Sequence, residues 1–231
     1  VKSVYNLDAH VIPNGSNLHE PVLTDNHIKN FGLEKGNYIV AISRFVRHKG
    51  LGYLIEAYKQ INTDKKLVIV GSGSFTDEYV SELHALAGNH PNIIFTGSQT
   101  GEALAELYSH AVLFVQPSES EGLSLALLEA MSRRVPVLGS DIIENADAIQ
   151  DGGYTFESKN TIDLKQKMEW ILSHPEEVAQ KVTRAREIIE QFYNWDKLAV
   201  RITQLYEHSL NAEVPFYEFQ ENETDFSVVI R

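Results

Sequence analysis

The sequence predicts an α/β fold in which a parallel β-sheet is covered by helices on both faces. Short apolar, β-branched runs of strand length alternate along the chain with longer stretches in which apolar residues recur at helical spacing. Glycine, proline and small polar residues separate the two kinds of segment. Strands that alternate with helices at this spacing pair in parallel through right-handed crossovers. We therefore predict a Rossmann-like sheet followed by C-terminal helices.

The central unit of the chain is a strand, helix, strand segment at residues 111–141. Its first strand must stop at Pro117, because proline cannot continue the hydrogen-bond ladder of a central strand. Polar residues at 118–121 lead to Gly122, after which apolar residues recur as in a helix, and a second strand follows at 135–140. In such units ligands bind beyond the carboxyl ends of the strands, where this helix begins.

The remaining elements extend the same pattern on both sides of this unit. Further strands are predicted at 38–43, 66–71, 92–97 and 154–157, and helices at 51–61, from the 71–74 turn to about 87, at 101–110 and within 160–210. We divide the chain into a lead-in segment at 1–37 with a candidate strand at 10–12, a domain at 38–210, and a tail at 211–231. The acidic, aromatic tail is either a linker that opens a following domain or an edge strand of this one.

The composition is that of a globular protein with a sizeable core, since 43% of the 231 residues are hydrophobic. A net charge of −12 argues against nucleic acid or an anionic membrane as the main partner, because both attract clustered lysine and arginine. The absence of cysteine excludes disulfides and thiolate metal sites and fits a reducing compartment. There is no membrane-spanning apolar run or signal peptide, and the chain starts at Val1, so we expect a cytoplasmic fragment of a longer protein.

A basic cluster directly follows the first buried strand and comprises Arg44, Arg47, His48 and Lys49. A lysine at a helix N-terminus is unfavourable by about 0.3–1 kcal/mol unless an anion lies between them. The cluster is conspicuous in an acidic chain, which favours a phosphate-binding loop. A solvated basic loop is the alternative.

Two carboxylates of the central unit are candidates for ligand contacts. Glu129 lies in an apolar helix, where an ionised group needs a partner or a path to water. Glu121 lies at the helix start, beside backbone N–H groups that also favour a bound phosphate. The alternatives are that Glu121 is an ordinary N-terminal carboxylate and that Glu129 is a solvated residue on the outer face of an amphipathic helix.

Other functional patterns are weak. The turn at Gly71 and Gly73 suggests a dinucleotide-binding loop, but Thr76 replaces the third glycine, so a tight turn near a ligand fits better than a nicotinamide-dependent oxidoreductase. The nine histidines lack metal-binding spacing and there is no Asp-x-Asp pair, so we predict no metal site. No serine lies in a G-x-S-x-G motif, which leaves hydrolase chemistry with little support.

With these residues, the chain resembles the C-terminal, donor-binding domain of retaining glycosyltransferases with the GT-B fold. The resemblance covers roughly residues 8–210 and rests on the motifs AISRFVRHKG, LVIVGSGS, NIIFTGSQT, QPSESEGLSLALLEAMSRRVPVLGSD and FYNWDKLAVRITQLYEHSL. Its most specific feature is a pair of glutamates with seven residues between them, Glu121 and Glu129, followed by Ala-Met and a Pro-Val strand. Two departures are Ser124, where the family often has proline after a similar Gly-Leu pair, and Arg133-Arg134 in place of a small residue and glycine.

The resemblance implies a role for each candidate residue. Arg44 and Lys49 would bind the donor diphosphate, and Glu121 would contact hydroxyls of the donor sugar. Glu129 would accept hydrogen bonds from the ribose hydroxyls. The remaining positions would contribute loops and backbone groups: the N–H groups of Gly122, Leu123 and Ser124 face the sugar and phosphate, Ser98 and Gln99 lie by the base, and Gly71 and Gly73 line the pocket floor.

The same resemblance implies a retaining, metal-independent hexosyltransferase of polysaccharide or glycoconjugate biosynthesis. Beyond its nucleotide-sugar donor, a UDP-sugar first and a GDP-sugar second, it would require no cofactor. A glycan, lipid or protein acceptor would bind through an N-terminal domain that this chain lacks, so the fragment alone is expected to be inactive. Peripheral membrane contact is compatible with the full protein. The alternatives are a nucleotide-sugar-binding module without turnover and a nucleotide-sugar epimerase of the same fold.

Overall fold

A computed structural model describes residues 9–73 and 77–210 and contains a six-stranded sheet. Every neighbouring pair of strands is parallel, in the order β3-β2-β1-β4-β5-β6. This confirms the predicted α/β fold with a Rossmann-like parallel sheet. The strands are β1 Tyr38–Ile42, β2 Lys66–Val70, β3 Ile93–Gly97, β4 Leu113–Gln116, β5 Val137–Ser140 and β6 Tyr154–Phe156.

Helices cover both faces of the sheet. They are α1 Asn26–Lys29, α2 Leu51–Tyr58, α3 Asp77–Ala87, α4 Gly101–Ser109, α5 Leu125–Ser132, α6 Ile143–Ile149, α7 Thr161–Ser173, α8 Pro175–Ile188 and α9 Trp195–Leu210. Successive residues of a strand point to opposite faces, so Tyr38 and Val40 of β1 lie in one core and Ile39 and Ala41 in the other. The first core packs against α4, α5 and α6, and the second against α2, α3 and α7.

Most predicted elements are confirmed, with shifts of a few residues at their ends. Helix α2 ends at Tyr58 rather than at residue 61, and α5 begins at Leu125 rather than directly after Gly122. The region 160–210 forms three α-helices, α7 to α9, with a π-helical turn at Ile189–Tyr193 before the last one.

One local prediction is wrong, and one helix was not predicted. Residues 10–12 form no strand, and the only β-bridge in the described part of the lead-in segment joins Ser16 to Asn194. Helix α6 was not predicted, because it buries the polar Asn145 beside Ala148 and so lacks an apolar stripe at helical spacing. The predicted tail at 211–231 lies outside the described residues.

The described part of the lead-in segment packs onto the sheet domain. Ile28 and Leu33 are buried in the first core. The carboxylate of Glu106 in α4 accepts hydrogen bonds from the backbone N–H groups of His27, at 2.7 Å, and Ile28, at 3.1 Å. These are N–H groups of the first turn of α1, which a helix leaves without internal partners.

Two glycines allow the loops at the carboxyl ends of the strands to come into close contact. Gly50 has φ +68° and a Cβ there would lie 1.8 Å from the carbonyl oxygen of Pro117. Gly71 has φ +138° and a Cβ there would lie 1.9 Å from the carbonyl oxygen of Ser43. The loop after β1 can therefore touch the loops after β4 and β2 only because these positions lack side chains.

Gly50→Ala should lower the free energy of unfolding by more than about 2 kcal/mol, since it combines a left-handed backbone with a steric overlap against Pro117. Gly36→Ala is the matched control, because Gly36 has φ +70° but no atom lies within 4 Å of its added Cβ. It should cost only the left-handed strain, about 1 kcal/mol. Equal losses for the two variants in urea denaturation would contradict the close contact at Gly50.

Candidate functional site

The candidate site lies at the carboxyl ends of β1 and β4, in the middle of the sheet. These two strands are neighbours, and the chain leaves β1 towards β2 on one side and enters β4 on the other. Such a topological switch point opens a crevice in which doubly wound α/β proteins bind ligands. The loop after β1 carries Arg44 and a 3₁₀ turn at Arg47–Lys49, and the loop after β4 carries residues 117–124.

The structure brings two predicted site residues, Lys49 and Glu121, into direct contact. The Lys49 Nζ lies 2.6 Å from Oε1 and 2.7 Å from Oε2 of Glu121. Both side chains are largely withdrawn from solvent, with exposed fractions of 14% for Lys49 and 7% for Glu121. Attraction between opposite charges is stronger at such a site than on an exposed surface, because water screens it less.

The Glu121 carboxylate accepts two further hydrogen bonds. The Gln116 Nε2 donates to Oε1 at 2.5 Å, and the Ser118 hydroxyl donates to the same oxygen at 2.6 Å. Gln116 and Ser118 are 2% and 0% exposed, respectively. From the sequence, Gln116 was predicted only to end a strand, and Ser118 to lie among the polar residues that lead to the helix. The available signal was their polarity at the end of an otherwise apolar central strand.

Backbone contacts hold the two loops together around this ion pair. The N–H of Glu119 donates to the carbonyl of His48 at 2.7 Å. Ser124 caps α5 by accepting a hydrogen bond from the N–H of Leu127 at 3.3 Å. Gly122 lies between these points, and a Cβ there would meet nothing within 4 Å, so the loop borders open space.

The four residues of the basic cluster do not all face the crevice. Arg47 makes a two-pronged ion pair with Glu82 of α3, with both N···O distances 2.7 Å, and its guanidinium lies 5.1 Å from the centre of the Tyr79 ring. Arg44 is exposed and makes no ion pair with a carboxylate of the described chain. Among the lysine and arginine side chains of this loop, Arg47 thus pairs with Glu82 and Lys49 with Glu121, and Arg44 has no ion pair within the described residues.

Glu129 lies on the second turn of α5, half-buried near Tyr108 of α4 and Arg133. Burial raises the pKa of the Glu129 carboxyl, and the Arg133 charge and the Tyr108 hydroxyl oppose that rise. The Arg133 guanidinium lies 5.9 Å from the centre of the Tyr108 ring. Arg133 is one helical turn beyond Glu129, so this departure from the family pattern supplies a nearby positive charge.

The remaining predicted positions lie at the carboxyl ends of β2 and β3. The hydroxyls of Ser72 and Ser98 are 2.8 Å apart and connect the two loops. The Gln99 side chain donates to the carbonyl of Thr96 at 2.8 Å. Gly71 contacts the end of β1, and Gly73 follows in the same loop. The structure therefore places these four positions along the same edge of the sheet as Lys49 and Glu121.

The described residues also bear on the questions of a metal site and a membrane-spanning helix. Across residues 9–73 and 77–210, no three His, Cys, Asp or Glu side chains gather in a way that could hold a metal ion. None of the helices in these ranges has both the length and the apolar character required to cross a membrane.

The ion pair predicts strong coupling between its members. Lys49→Met should lower the free energy of unfolding by about 1–3 kcal/mol, since it leaves a buried carboxylate without its cation. Adding Glu121→Gln should recover part of that loss, with a coupling energy of about 0.5–3 kcal/mol in a double-mutant cycle. The exposed pair Lys159 and Glu119, 2.8 Å apart, is the control and should couple by less than about 1 kcal/mol. Additive losses at Lys49 and Glu121 would contradict the buried pair.

The Glu129 environment predicts a pKa that depends on Arg133. Arg133→Met should raise the pKa of Glu129 further, because it removes the charge that favours the carboxylate. Carbon-13 NMR of the glutamate side chains measures this shift, and Arg134→Met, whose native side chain pairs with Glu20, should leave it unchanged.

The same shift predicts a stability change with pH. Because the folded-state pKa of Glu129 lies above its unfolded value, the free energy of unfolding contributed by this group falls as pH rises through the interval between the two. The interval widens in Arg133→Met, so this loss should be larger there. An unchanged or lowered Glu129 pKa in that variant would refute the proposed interaction.

Comparisons with known proteins identify the family. The model of the glycosyl transferases group 1 family matches residues 24–188. An uncharacterized glycosyltransferase of Methanocaldococcus jannaschii is 30% identical over 172 residues, which are 73% of this chain and 44% of that protein. The chain spans about half the length of the curated relatives it matches.

Solved structures agree with this family. Sucrose-phosphate synthase from Thermosynechococcus elongatus has a TM-score of 0.76 at 27% identity, over 87% of this chain and 52% of that one. The Anabaena protein HepE, solved with UDP-glucose, has a TM-score of 0.77 at 20% identity, over 86% of this chain and 57% of that one. The matched sequence and the parallel sheet together show that the chain belongs to the glycosyl transferases group 1 family.

Proposed function

We propose that this chain is the nucleotide-sugar donor-binding half of a retaining GT-B glycosyltransferase. The observation that carries the proposal is the buried contact of Lys49 with Glu121 at the switch point of the sheet, beside open space at Gly122. A cation and a carboxylate held there suit a ligand that carries both phosphates and hydroxyls. The reaction is the transfer of a sugar from a nucleoside diphosphate to an acceptor hydroxyl with retention at the anomeric carbon.

Lys49 and Arg44 stabilise the leaving diphosphate in this proposal. Breaking the bond between the anomeric carbon and the phosphate increases the negative charge on the leaving group. Cations fixed beforehand in a crevice stabilise that charge more than mobile water does. The Lys49 ammonium has three N–H donors, and two of them contact Glu121, which leaves one for a first contact with a phosphate oxygen. The leaving phosphate itself accepts the proton of the acceptor hydroxyl, and no protein nucleophile is assigned.

The other predicted residues bind the sugar, ribose and base. Glu121 accepts hydrogen bonds from donor-sugar hydroxyls, and Glu129 accepts them from the ribose. The remaining groups are backbone and loop positions at the strand ends: the N–H groups of Gly122, Leu123 and Ser124 face the sugar and phosphate, Ser98 and Gln99 lie by the base, and Gly71 and Gly73 line the pocket floor.

The donor is a UDP-sugar first and a GDP-sugar second, with no other cofactor and no metal. The structural likeness to HepE, which was solved with UDP-glucose, supports the uridine choice. A glycan, lipid or protein acceptor binds through an N-terminal domain, for which the relatives' greater length leaves room. The chain alone therefore binds its donor without turnover.

Calorimetric titration of the chain with UDP, GDP and ADP, without added metal, tests the proposal. One nucleotide, UDP by preference, should bind, and Lys49→Ala and Glu129→Ala should each weaken it by tenfold or more, about 1.4 kcal/mol. Arg47→Gln is the control from the same loop, since Arg47 is paired with Glu82, and it should leave the affinity unchanged. Binding that is unaffected by Lys49→Ala and Glu129→Ala would refute the assigned site.

A further inference from the structure

The Glu121 carboxylate accepts hydrogen bonds from two neutral side chains in addition to its ion pair with Lys49. Its Oε1 accepts from Lys49, Gln116 and Ser118, whereas its Oε2 contacts only Lys49 among the described residues. The two oxygens of one carboxylate are therefore held differently. One is fixed by neutral side chains of its own loop, and the other depends on a lysine from the neighbouring loop.

We propose that Gln116 and Ser118 are positioning residues that hold Glu121 in place for the donor sugar while Lys49 turns towards the diphosphate. This inference rests on the proposed function, since it concerns the same site. Lys49 is the one charged partner of Glu121, and a phosphate at the crevice competes for it. When Lys49 is drawn away, Oε1 keeps two donors, and Oε2 becomes available to accept from a sugar hydroxyl.

The energetic need for these donors follows from burial. Glu121 is only 7% exposed, and a carboxylate removed from water is costly when its partners are lost. Without Gln116 and Ser118, the carboxylate would turn towards solvent once Lys49 is drawn away. The two neutral donors hold the carboxylate in place in either state of the lysine.

A buried chain of hydrogen bonds connects Ser118, and through it Gln116, to β5 and α6. The Gln116 amide donates to the Ser118 hydroxyl at 2.7 Å, which leaves that hydroxyl's hydrogen for Glu121. The Ser118 carbonyl accepts a hydrogen bond from the Ser140 hydroxyl of β5, and the Asn145 side chain of α6 donates to Ser140 at 2.9 Å. This chain extends from α6 through β5 to the loop after β4, so Oε1 of Glu121 is tied to the interior of the domain.

The consequence is a coupling between two parts of the donor. When the phosphate pairs with Lys49, Oε2 of Glu121 loses its contact with the lysine. A sugar hydroxyl can then donate a hydrogen bond to Oε2. A nucleotide sugar should gain affinity over its nucleotide only while Oε1 stays fixed. Gln116 and Ser118 should therefore matter for the sugar and little for the nucleotide.

Titration of the chain with UDP, UDP-glucose, UDP-N-acetylglucosamine, GDP and GDP-mannose tests this inference. In the unmodified chain, one nucleotide sugar should bind more tightly than its nucleotide. In Gln116→Met and Ser118→Ala that advantage should fall by about tenfold, while the affinity for the nucleotide changes less than about twofold. Gln116→Asn, which withdraws the amide by one methylene, should act in the same direction and serves if Gln116→Met does not fold.

Ser109→Ala is the control for removing a serine hydroxyl. Ser109 accepts a hydrogen bond from the N–H of Val22 at the far end of α4, and its loss should leave both affinities unchanged. A sugar advantage that survives in Gln116→Met and Ser118→Ala would overturn the inference while leaving the donor site intact. Equal losses for nucleotide and nucleotide sugar, with a lower melting temperature, would assign both residues a purely structural role. Absence of nucleotide binding in the unmodified chain would instead refute the proposed function.

Discussion

The contact between Lys49 and Glu121 is the interaction on which the geometry of the crevice depends. It joins loops that leave two adjacent central strands, and it does so where water is largely excluded. Each charge makes the other tolerable in that position, because an isolated buried ion would cost far more than either hydrogen bond contributes. The backbone bond from Glu119 to His48 and the absence of a side chain at Gly50 allow the approach.

Under the proposed function, the Glu121 carboxylate needs little reorganisation when a charged ligand arrives, because only Lys49 has to turn. The cation lies at the surface of the crevice but is already oriented by a carboxylate that is fixed to the sheet. Fixed dipoles and charges of this kind stabilise developing charge better than groups that must first be ordered. The chain belongs to the glycosyl transferases group 1 family, and glycosyl transfer breaks the bond between a sugar and its leaving group. Charge that develops on the leaving group is what such fixed groups can stabilise.

The sequence predicted the features that depend on local periodicity. It did not predict the features that depend on contacts between residues brought together by the fold. The alternation of Ile39 and Val40 between two cores follows from strand geometry alone, and the loop at Pro117 from proline chemistry. The motif placed Glu121 at the site, but no spacing indicated that Gln116 donates to it, since that contact depends on how the loop folds back. Helix α6 was not predicted, because its buried face includes the polar Asn145, which donates a hydrogen bond to Ser140.

The family resemblance predicted roles for individual residues, which periodicity alone does not. The structure then gave a physical reason for one departure from the family pattern, Arg133. Arg133 had no assigned role from the motif, yet it lies one helical turn from Glu129 and favours the ionised form of that carboxylate. Arg133, which departs from the family pattern, thus opposes the effect of burial on the Glu129 carboxylate, which belongs to that pattern. Sequence comparison alone registers the departure, and the packing of α5 against Tyr108 gives its physical reason.

The carboxylate of Glu106 has a consequence for how this domain is handled in the laboratory. It is buried in α4, and its acceptor capacity is met by the backbone of His27 and Ile28 in the lead-in segment. Trimming the chain to begin at β1 would remove those donors and also uncover the pocket that Ile28 and Leu33 fill. Expression boundaries, domain exchanges and fusion points for this protein should therefore be chosen upstream of α1.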